Sequence, residues 1–301
     1  MGANVDLLQH RVRHLKLTRD ASLQAVWVEF KYEGRPCFTR ELLEDVLAVQ
    51  RSIRQTVLSG QQQAQNDRLL FQVVASTDCR AFSLGGDLSY FLQLIEAGDH
   101  ESLRNYAKTC IDIQYAITTH YDTPFTTIAL VEGEALGGGF EAALSANLLV
   151  AESQSRFGFP EISFGMFPGM GAISLLARRV TPSTARKLIM DQRIYTAEEL
   201  HELGVVDILV ARGEGREATA DYMRRHIGLV SGLQGFQQAV ERVYPLEYDE
   251  LADVVDLWVE SAMKVNDRNK RLMEYFARAQ ANRSHNSNQQ IESSTYQFGT
   301  D

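Results

Sequence analysis

The 301-residue sequence predicts an α/β protein: a largely parallel sheet interleaved with helices, followed by an all-helical C-terminal part. Short apolar runs rich in β-branched residues recur along the chain, LQAVWVEF at 24–31, LLFQVVAS at 69–76, TTIALVEG at 126–133 and NLLVAES at 147–153. Segments with apolar residues at helical spacing lie between them. From 231 to about 281 the pattern is helical throughout.

The first run alternates well enough for a strand. FTRELLEDVLAVQRSIRQTV, 38–57, brings Leu42, Leu43, Val46, Leu47 and Ile53 to one side of a helix. The run at 69–76 reads as a buried strand, followed by a loop, AFSLGGD, and one long helix over about 87–119. The runs at 126–133 and 147–153 are further buried strands, and between them stand three consecutive glycines, Gly137 to Gly139. Thr181 as N-cap with Pro182 at the first helical position starts a helix to about 190. Thr196-Ala-Glu-Glu199 is a capping box opening a short helix to about Leu203, and VVDILV, 205–210, is a last strand. The C-terminal helical stretch carries Trp258, Met263 and Leu272 on apolar faces. SHNSNQQIESSTYQFGTD, from Ser284, is Ser-, Asn- and Gln-rich and reads as disordered. The expected division is therefore an α/β core over 1–230, a helical region over 231–283 and a tail over 284–301.

Composition narrows the function. With 45% hydrophobic and 23% charged residues the chain is ordinary globular material. A formal net charge of −9 argues against a nucleic-acid partner, which would need clustered Lys and Arg. The first sixteen residues, MGANVDLLQHRVRHLK, have charges where a signal peptide needs an apolar stretch. Asp6 breaks the myristoylation pattern, and no run is long enough to span a membrane, so a cytoplasmic location is expected. Cys37, Cys79 and Cys110 have no CxxC spacing and the seven histidines no ligand spacing, so neither disulfides nor a metal is expected. GxSxG and GxxxxGK[ST] motifs are absent.

Three segments can carry chemistry. In AFSLGGDL, Gly85 and Gly86 interrupt a strand–helix connection, and in ALGGGFEAALS the same happens one unit later. Both leave backbone N–H groups at or near a helix N-terminus, where they can converge as an oxyanion hole on a carbonyl oxygen. The third segment, FGFPEISFGMFPGMGA, sets Glu161 among Phe157, Phe159, Pro160, Ile162, Phe164 and Met166. That apolar setting should raise its pKa, whereas the helix dipole should favour ionised Glu141. Two carboxylates in contrasting environments can divide acid and base work. Taken singly, Glu141 reads as well as a first-turn charge, Glu161 as a loop residue facing water and Gly85-Gly86 as a plain turn. Gly137-x-Gly139-x-x-Ala142 also has the shape of a dinucleotide fingerprint, but it stands about 130 residues into the chain and leaves the other glycine turn and Glu161 without a role.

Together these residues resemble the crotonase (enoyl-CoA hydratase) superfamily. AFSLGGDL is similar to its first oxyanion loop, VEGEALGGGFEAALSANLLVAE to its second with the following strand, FGFPEISFGMFPGMGA to its second catalytic loop, and YTAEELHELGVVD to its later helix and strand. GRPCF (34–38), SLGGDL (83–88), FPGMGA (167–172), LWVESAM and RAQANRS bring the likeness nearer to the bacterial diffusible-signal-factor synthases. The resemblance implies a spiral of repeated β-β-α units with a C-terminal helical region for oligomerisation. It implies backbone donors from Gly86 and Gly138 and catalytic carboxylates at Glu141 and Glu161. Candidate substrate-binding residues are Leu84, Gly85, Leu136, Gly137, Met170, Trp258 and Leu272, with Leu136, Met170, Trp258 and Leu272 expected along an acyl tunnel.

The implied activity is a 3-hydroxyacyl-thioester dehydratase with thioesterase activity, releasing a free cis-2-unsaturated fatty acid as a quorum signal. No cofactor is implied beyond the phosphopantetheine of acyl carrier protein or coenzyme A that carries the substrate. Asp87 is followed by Leu-Ser-Tyr, where many coenzyme A users have a lysine, which tilts the expectation toward acyl carrier protein. Implied partners are a homotrimer or dimer of trimers and an inhibitory domain of a signal sensor or receptor. A trans-2-enoyl-CoA hydratase of fatty-acid degradation and a non-catalytic binding protein on the same fold are the competing readings, and retention of both carboxylates speaks against the second.

Overall fold

The computed structural model describes residues 11–60, 68–123 and 125–295, with side chains as far as Asn282. Its strands are β1 (Leu15–Asp20), β2 (Ala25–Phe30), β3 (Phe71–Ser76), β4 (Ala81–Ser83), β5 (Thr126–Val131), β6 (Glu134–Leu136), β7 (Leu148–Glu152), β8 (Arg156–Gly158), β9 (Tyr195–Thr196) and β10 (Ile208–Val210). Among the helices, α1 (Arg40–Gly60), α2 (Leu88–Ala97), α3 (His100–Thr118) and α4 (Gly138–Leu144) belong to the first half. They are followed by α5 (Ala172–Ala177), α6 (Pro182–Met190), α7 (Ala197–Glu202) and α8 (Gly215–His226). The chain ends in α9 (Val230–Val243), α10 (Tyr248–Ala262) and α11 (Asp267–Thr295).

Two sheets run through the molecule. The larger has the order β1-β2-β3-β5-β7-β10 and is parallel apart from the β1–β2 hairpin. The smaller has the order β4-β6-β8-β9, with β4, β6 and β8 parallel. From β3 on, the long strands β3, β5 and β7 of the first sheet are each followed by a short strand of the second, so β3–β4, β5–β6 and β7–β8 are successive turns of one spiral. The expected β-β-α architecture is thus the observed one. Its consequence is positional. Ser83 of β4 pairs with Ala135 of β6, and Leu136 of β6 with Gly158 of β8, so the segments that leave these three strands emerge side by side.

Both faces of the large sheet are covered over its central strands, which is why β2, β3, β5 and β7 are buried almost throughout while the edge strand β1 alternates. On one face Ala25, Trp27, Phe71, Val73, Ile128, Leu130 and Val150 pack with Met223 of α8. On the other Val26, Val28, Phe30, Val74, Ala129 and Leu149 join the main core beneath α1 and α3.

Several expected boundaries move. The single helix over 87–119 is two: Gly98, at φ 66°, closes α2, and Asp99 caps α3 by accepting from the Ser102 N–H. The short strands of the second sheet, two or three residues each, left no periodic signal to read. The continuous C-terminal helix is three helices, interrupted around Pro245 and at Asn266, whose side chain accepts from the Asn269 N–H. The last of them extends through Thr295, past Ser284 where composition placed the start of a disordered tail; residues 296–301 lie outside the described residues. The Thr181 cap and the Thr196–Glu199 capping box are formed as expected. Among the described residues no helix is long and apolar enough to cross a membrane.

Candidate active site

The three segments that emerge from β4, β6 and β8 build one site. Leu84, Gly85, Gly86, Gly137, Gly138, Glu141, Glu161, Met170 and Trp258 line a common cleft, with Phe91, Phe164 and Met166 among its apolar walls.

The glycines of this cleft are fixed by close approach. Gly85 has φ +88°, and a Cβ there would stand 2.9 Å from the Gly138 nitrogen and 2.9 Å from the Leu136 carbonyl oxygen. The two loops therefore cross backbone to backbone, and the Gly86 nitrogen lies 3.4 Å from where a Gly138 Cβ would be. Neither the Gly86 nor the Gly138 amide donates to an acceptor among the described residues. Two adjacent unpaired N–H groups at the start of a cleft are the arrangement that stabilises charge on a carbonyl oxygen. Gly137 caps α4 at φ +52°, and a Cβ on it would overlap Glu161 Oε1. Gly139 packs against the Ser83 backbone of β4. The triple glycine thus has three separate reasons to be bare.

The two carboxylates differ in how they are held. Glu141 is buried, and its Oε1 accepts from the backbone N–H of Met170 (2.9 Å) and of Ala172 (3.1 Å). Burial raises its pKa to about 7 against these two hydrogen bonds, which pull the other way. The expectation that the helix dipole would keep Glu141 readily ionised is therefore corrected. α4 is only seven residues long, and desolvation outweighs its dipole. Glu161 sits in a 3₁₀ turn over Glu161–Phe164. The residue as a whole is partly exposed, yet its Oε2 is buried and has no hydrogen-bond partner. Desolvation first, and then the nearby Glu141 charge, push its pKa up to about 8.

Beyond Gly86, Gly138 and Met170 the cleft continues into a largely apolar pocket. Its walls are Phe38, Leu43 and Val46 near α1, Cys110, Ile113 and Ile117 on α3, and Val28 and Val74 of the large sheet. The residues expected along an acyl tunnel do not all lie together. Met170 and Trp258 do line the site, Trp258 packing on Phe91 with ring centroids 5.4 Å apart and against Gly169. Leu272 and Leu136 line neither the cleft nor the cavity; Leu272 is a half-buried residue packed on the main core. The sequence placed the tunnel along the second glycine loop, the FPGMGA turn and the C-terminal helices, whereas the pocket beyond the glycine loops is lined from α1 and α3. Only the apolar face of α1 hinted at this, and a core-facing helix shows the same face.

One C-terminal residue does reach the site. Gln280 of α11 donates through Nε2 to the carbonyl oxygens of Leu84 (3.0 Å) and Gly86 (3.1 Å), the peptides on either side of the one carrying the Gly86 N–H. Asp87 caps α2 by accepting from the Tyr90 N–H, and Arg35 holds Asp87 at 2.9 Å. Among the described residues no group of three or more His, Cys, Asp or Glu side chains is placed to hold a metal ion.

A family model described as enoyl-CoA hydratase/isomerase matches residues 48–242. The chain is 30% identical over 176 residues to enoyl-CoA isomerase/hydratase fer4 of Mycosarcoma maydis, covering 58% of this chain and 61% of that protein. It is 31% identical over 166 residues to probable enoyl-CoA hydratase echA17 of Mycobacterium avium, covering 55% and 62%. Against the peroxisomal fatty acid beta-oxidation multifunctional protein AIM1 of Arabidopsis thaliana, the likeness of 29% spans 21% of that protein. The chain thus spans about three-fifths or less of the length of these curated relatives. Two solved structures share the fold. An enoyl-CoA hydratase from Bacillus halodurans has a TM-score of 0.72 at 19% identity, covering 87% of this chain and all of that one. Pseudomonas aeruginosa DspI has 0.63 at 22% identity, covering 82% and 96%. With the crossed glycine loops, the two carboxylates and a family match over most of the α/β core, the chain belongs to the enoyl-CoA hydratase/isomerase family of crotonase fold.

Proposed function

We propose that this protein dehydrates a 3-hydroxyacyl carrier-protein thioester to a cis-2-enoyl thioester and hydrolyses it to the free cis-2-unsaturated fatty acid, a diffusible quorum signal. The observation that carries the chemistry is the convergence of two unpaired backbone amides and two carboxylates of raised pKa at the mouth of a largely apolar pocket. The signal-forming outcome, the carrier-protein substrate and an inhibitory partner domain rest on the sequence resemblance given above.

The thioester carbonyl accepts from Gly86 and Gly138, which lowers the cost of an enolate at C2. The unpartnered Oε2 of Glu161 is free to take the C2 proton, and Glu141 gives its proton to the departing 3-hydroxyl, which leaves as water. Burial raises the pKa of both carboxyls, and the Glu141 charge raises that of Glu161 further, so the pair shares a proton that rests preferentially on Glu161. Dehydration ends in that favoured form. Ionised Glu141 can then take a proton from a water as it attacks C1, the same two amides holding the tetrahedral oxyanion. Glu161 returns its proton to the leaving thiolate, which restores the starting state.

The names of the curated relatives favour a second reading, hydration of a trans-2-enoyl coenzyme A ester in fatty-acid degradation. Mass spectrometry of products from 3-hydroxydodecanoyl carrier protein and from the matching coenzyme A ester separates the two. Free cis-2-dodecenoic acid from the carrier-protein substrate is expected; enoyl coenzyme A without free acid would establish the hydratase instead. A homotrimer or dimer of trimers is part of the same proposal, and Phe236 and Val243 on α9, with Tyr244 beside it, are exposed apolar residues that such an assembly could bury.

A further inference from the structure

Gln114 lies on α3 between Cys110 and Ile117, one turn to either side, and all three line the apolar pocket. It is only 5% exposed, and its Oε1 is buried without a hydrogen-bond partner. Other oxygen atoms of the same wall have partners. The Tyr106 hydroxyl donates to the Phe38 carbonyl at 2.5 Å, Ser145 Oγ donates to the Ala142 carbonyl at 2.7 Å, and Gln72 Oε1 accepts from the Tyr121 hydroxyl at 2.5 Å.

Two contacts place the Gln114 carboxamide beside the chemistry. A Cβ on Gly171, whose φ is +112°, would stand 2.7 Å from Gln114 Oε1, so the glycine leaves the carboxamide its room. Gly171 is also the residue between Met170 and Ala172, whose amides hold Glu141 Oε1. Gln114 therefore stands next to the turn that cradles Glu141, at the junction of cleft and acyl cavity. A buried carboxamide oxygen with no hydrogen-bond partner destabilises the fold relative to Leu or Met of similar size, and such atoms usually meet a ligand or water.

We propose that Gln114 is a specificity-determining residue that hydrogen-bonds the 3-hydroxyl of the bound acyl chain, selecting 3-hydroxyacyl over unsubstituted acyl groups. This rests on the reading that an acyl thioester binds with its carbonyl at Gly86 and Gly138. A hydroxyl that donates to Gln114 keeps its oxygen lone pairs free for the proton from Glu141. The product has lost that hydroxyl, so it also loses this contact, which favours its release.

The test is equilibrium binding of two pantetheine amides by calorimetry, 3-hydroxydodecanoyl and dodecanoyl. An amide in place of the thioester is too weakly acidic at C2 to react during the titration. The wild type is expected to bind the hydroxylated ligand about tenfold more tightly. Gln114→Met, and Gln114→Leu as a second variant, should bring the two ligands within about twofold by weakening only the hydroxylated one. Tight but equal binding by the wild type would overturn the proposal while leaving the acyl site intact. A preference retained in both variants would overturn it too. No binding of either ligand would overturn the acyl site itself and this inference with it.

Discussion

Gln280 Nε2 donates to the Gly86 carbonyl at 3.1 Å and to the Leu84 carbonyl at 3.0 Å, so a residue near the C-terminus fixes a loop 194 positions earlier in the chain. Both peptides that flank the Gly85–Gly86 peptide are held by one side-chain donor. The direction of the Gly86 N–H is thereby set by α11, and the C-terminal helices become part of the site without contributing a reacting group.

Gln280→Glu keeps the shape of the side chain but replaces the donor with an acceptor facing two carbonyl oxygens. We expect kcat to fall about tenfold to hundredfold with KM changed little, because misaiming an oxyanion donor affects the transition state more than the ground state. Steady-state kinetics on the purified variant checks this. Equal loss in kcat and gain in KM would point to a collapsed cleft instead.

The pair Glu141 and Glu161 should give a bell-shaped pH profile. One of them must be ionised and the other neutral, and their pKa values are raised to about 7 and about 8. The account therefore expects kcat/KM to rise through about pH 7, peak between these values and fall above about pH 8. A profile that stays level from mildly acidic to alkaline pH would show that the pair does not share a single proton.

Stability carries the same information with the opposite reward. Glu161 holds its proton in the folded state up to about pH 8, whereas its ordinary value is 4.5. Between these two pH values the folded chain binds more protons than the unfolded one, so this group's contribution to stability falls as pH rises through that window. Glu161→Gln removes the penalty. Its melting temperature should match the wild type at acid pH and exceed it by roughly 2–3 °C at pH 9, on the scale of 1–2 kcal/mol for a chain of this size. A variant that melts lower than the wild type at pH 9 would show that Glu161 is not a destabilising buried acid.

Gly137→Ala combines two faults, a left-handed φ of +52° and a Cβ that overlaps Glu161 Oε1. We expect a loss of about 1–3 kcal/mol in stability from the backbone alone and a loss of activity beyond what that explains, because the carboxylate must move. Denaturant melts and kinetics on the same preparation separate the two effects.

The site was more legible in the sequence than the cavity it opens into. Glycine pairs ahead of helices and a carboxylate in an aromatic setting are local signals, and Gly85, Gly86, Gly137, Gly138, Glu141 and Glu161 do meet in one cleft. Their meeting depends on β4, β6 and β8 lying side by side, strands of three residues that carry no periodicity of their own. Of the residues expected along an acyl tunnel, Met170 and Trp258 line the cleft while Leu136 and Leu272 do not, because a helix that covers a cavity and one that covers a core show the same apolar face. Gln280 and Gln114 were missed for a related reason. A glutamine within a helix reads as surface until the fold shows that its amide is enclosed. The ionisation of Glu141 was misjudged because the dipole argument used only its place in the helix, and burial depends on what packs against it.

The central claim is that Glu161 takes the C2 proton of a thioester whose carbonyl is held by Gly86 and Gly138. Its most direct measurement is deuterium wash-in at C2 of dodecanoyl pantetheine thioester in heavy water, followed by mass spectrometry, since this ligand can form the enolate but has no hydroxyl to lose. The account predicts exchange with the wild type and with Glu141→Gln, and a loss of about a hundredfold or more with Glu161→Gln. Undiminished exchange in Glu161→Gln, or none in the wild type, would contradict it.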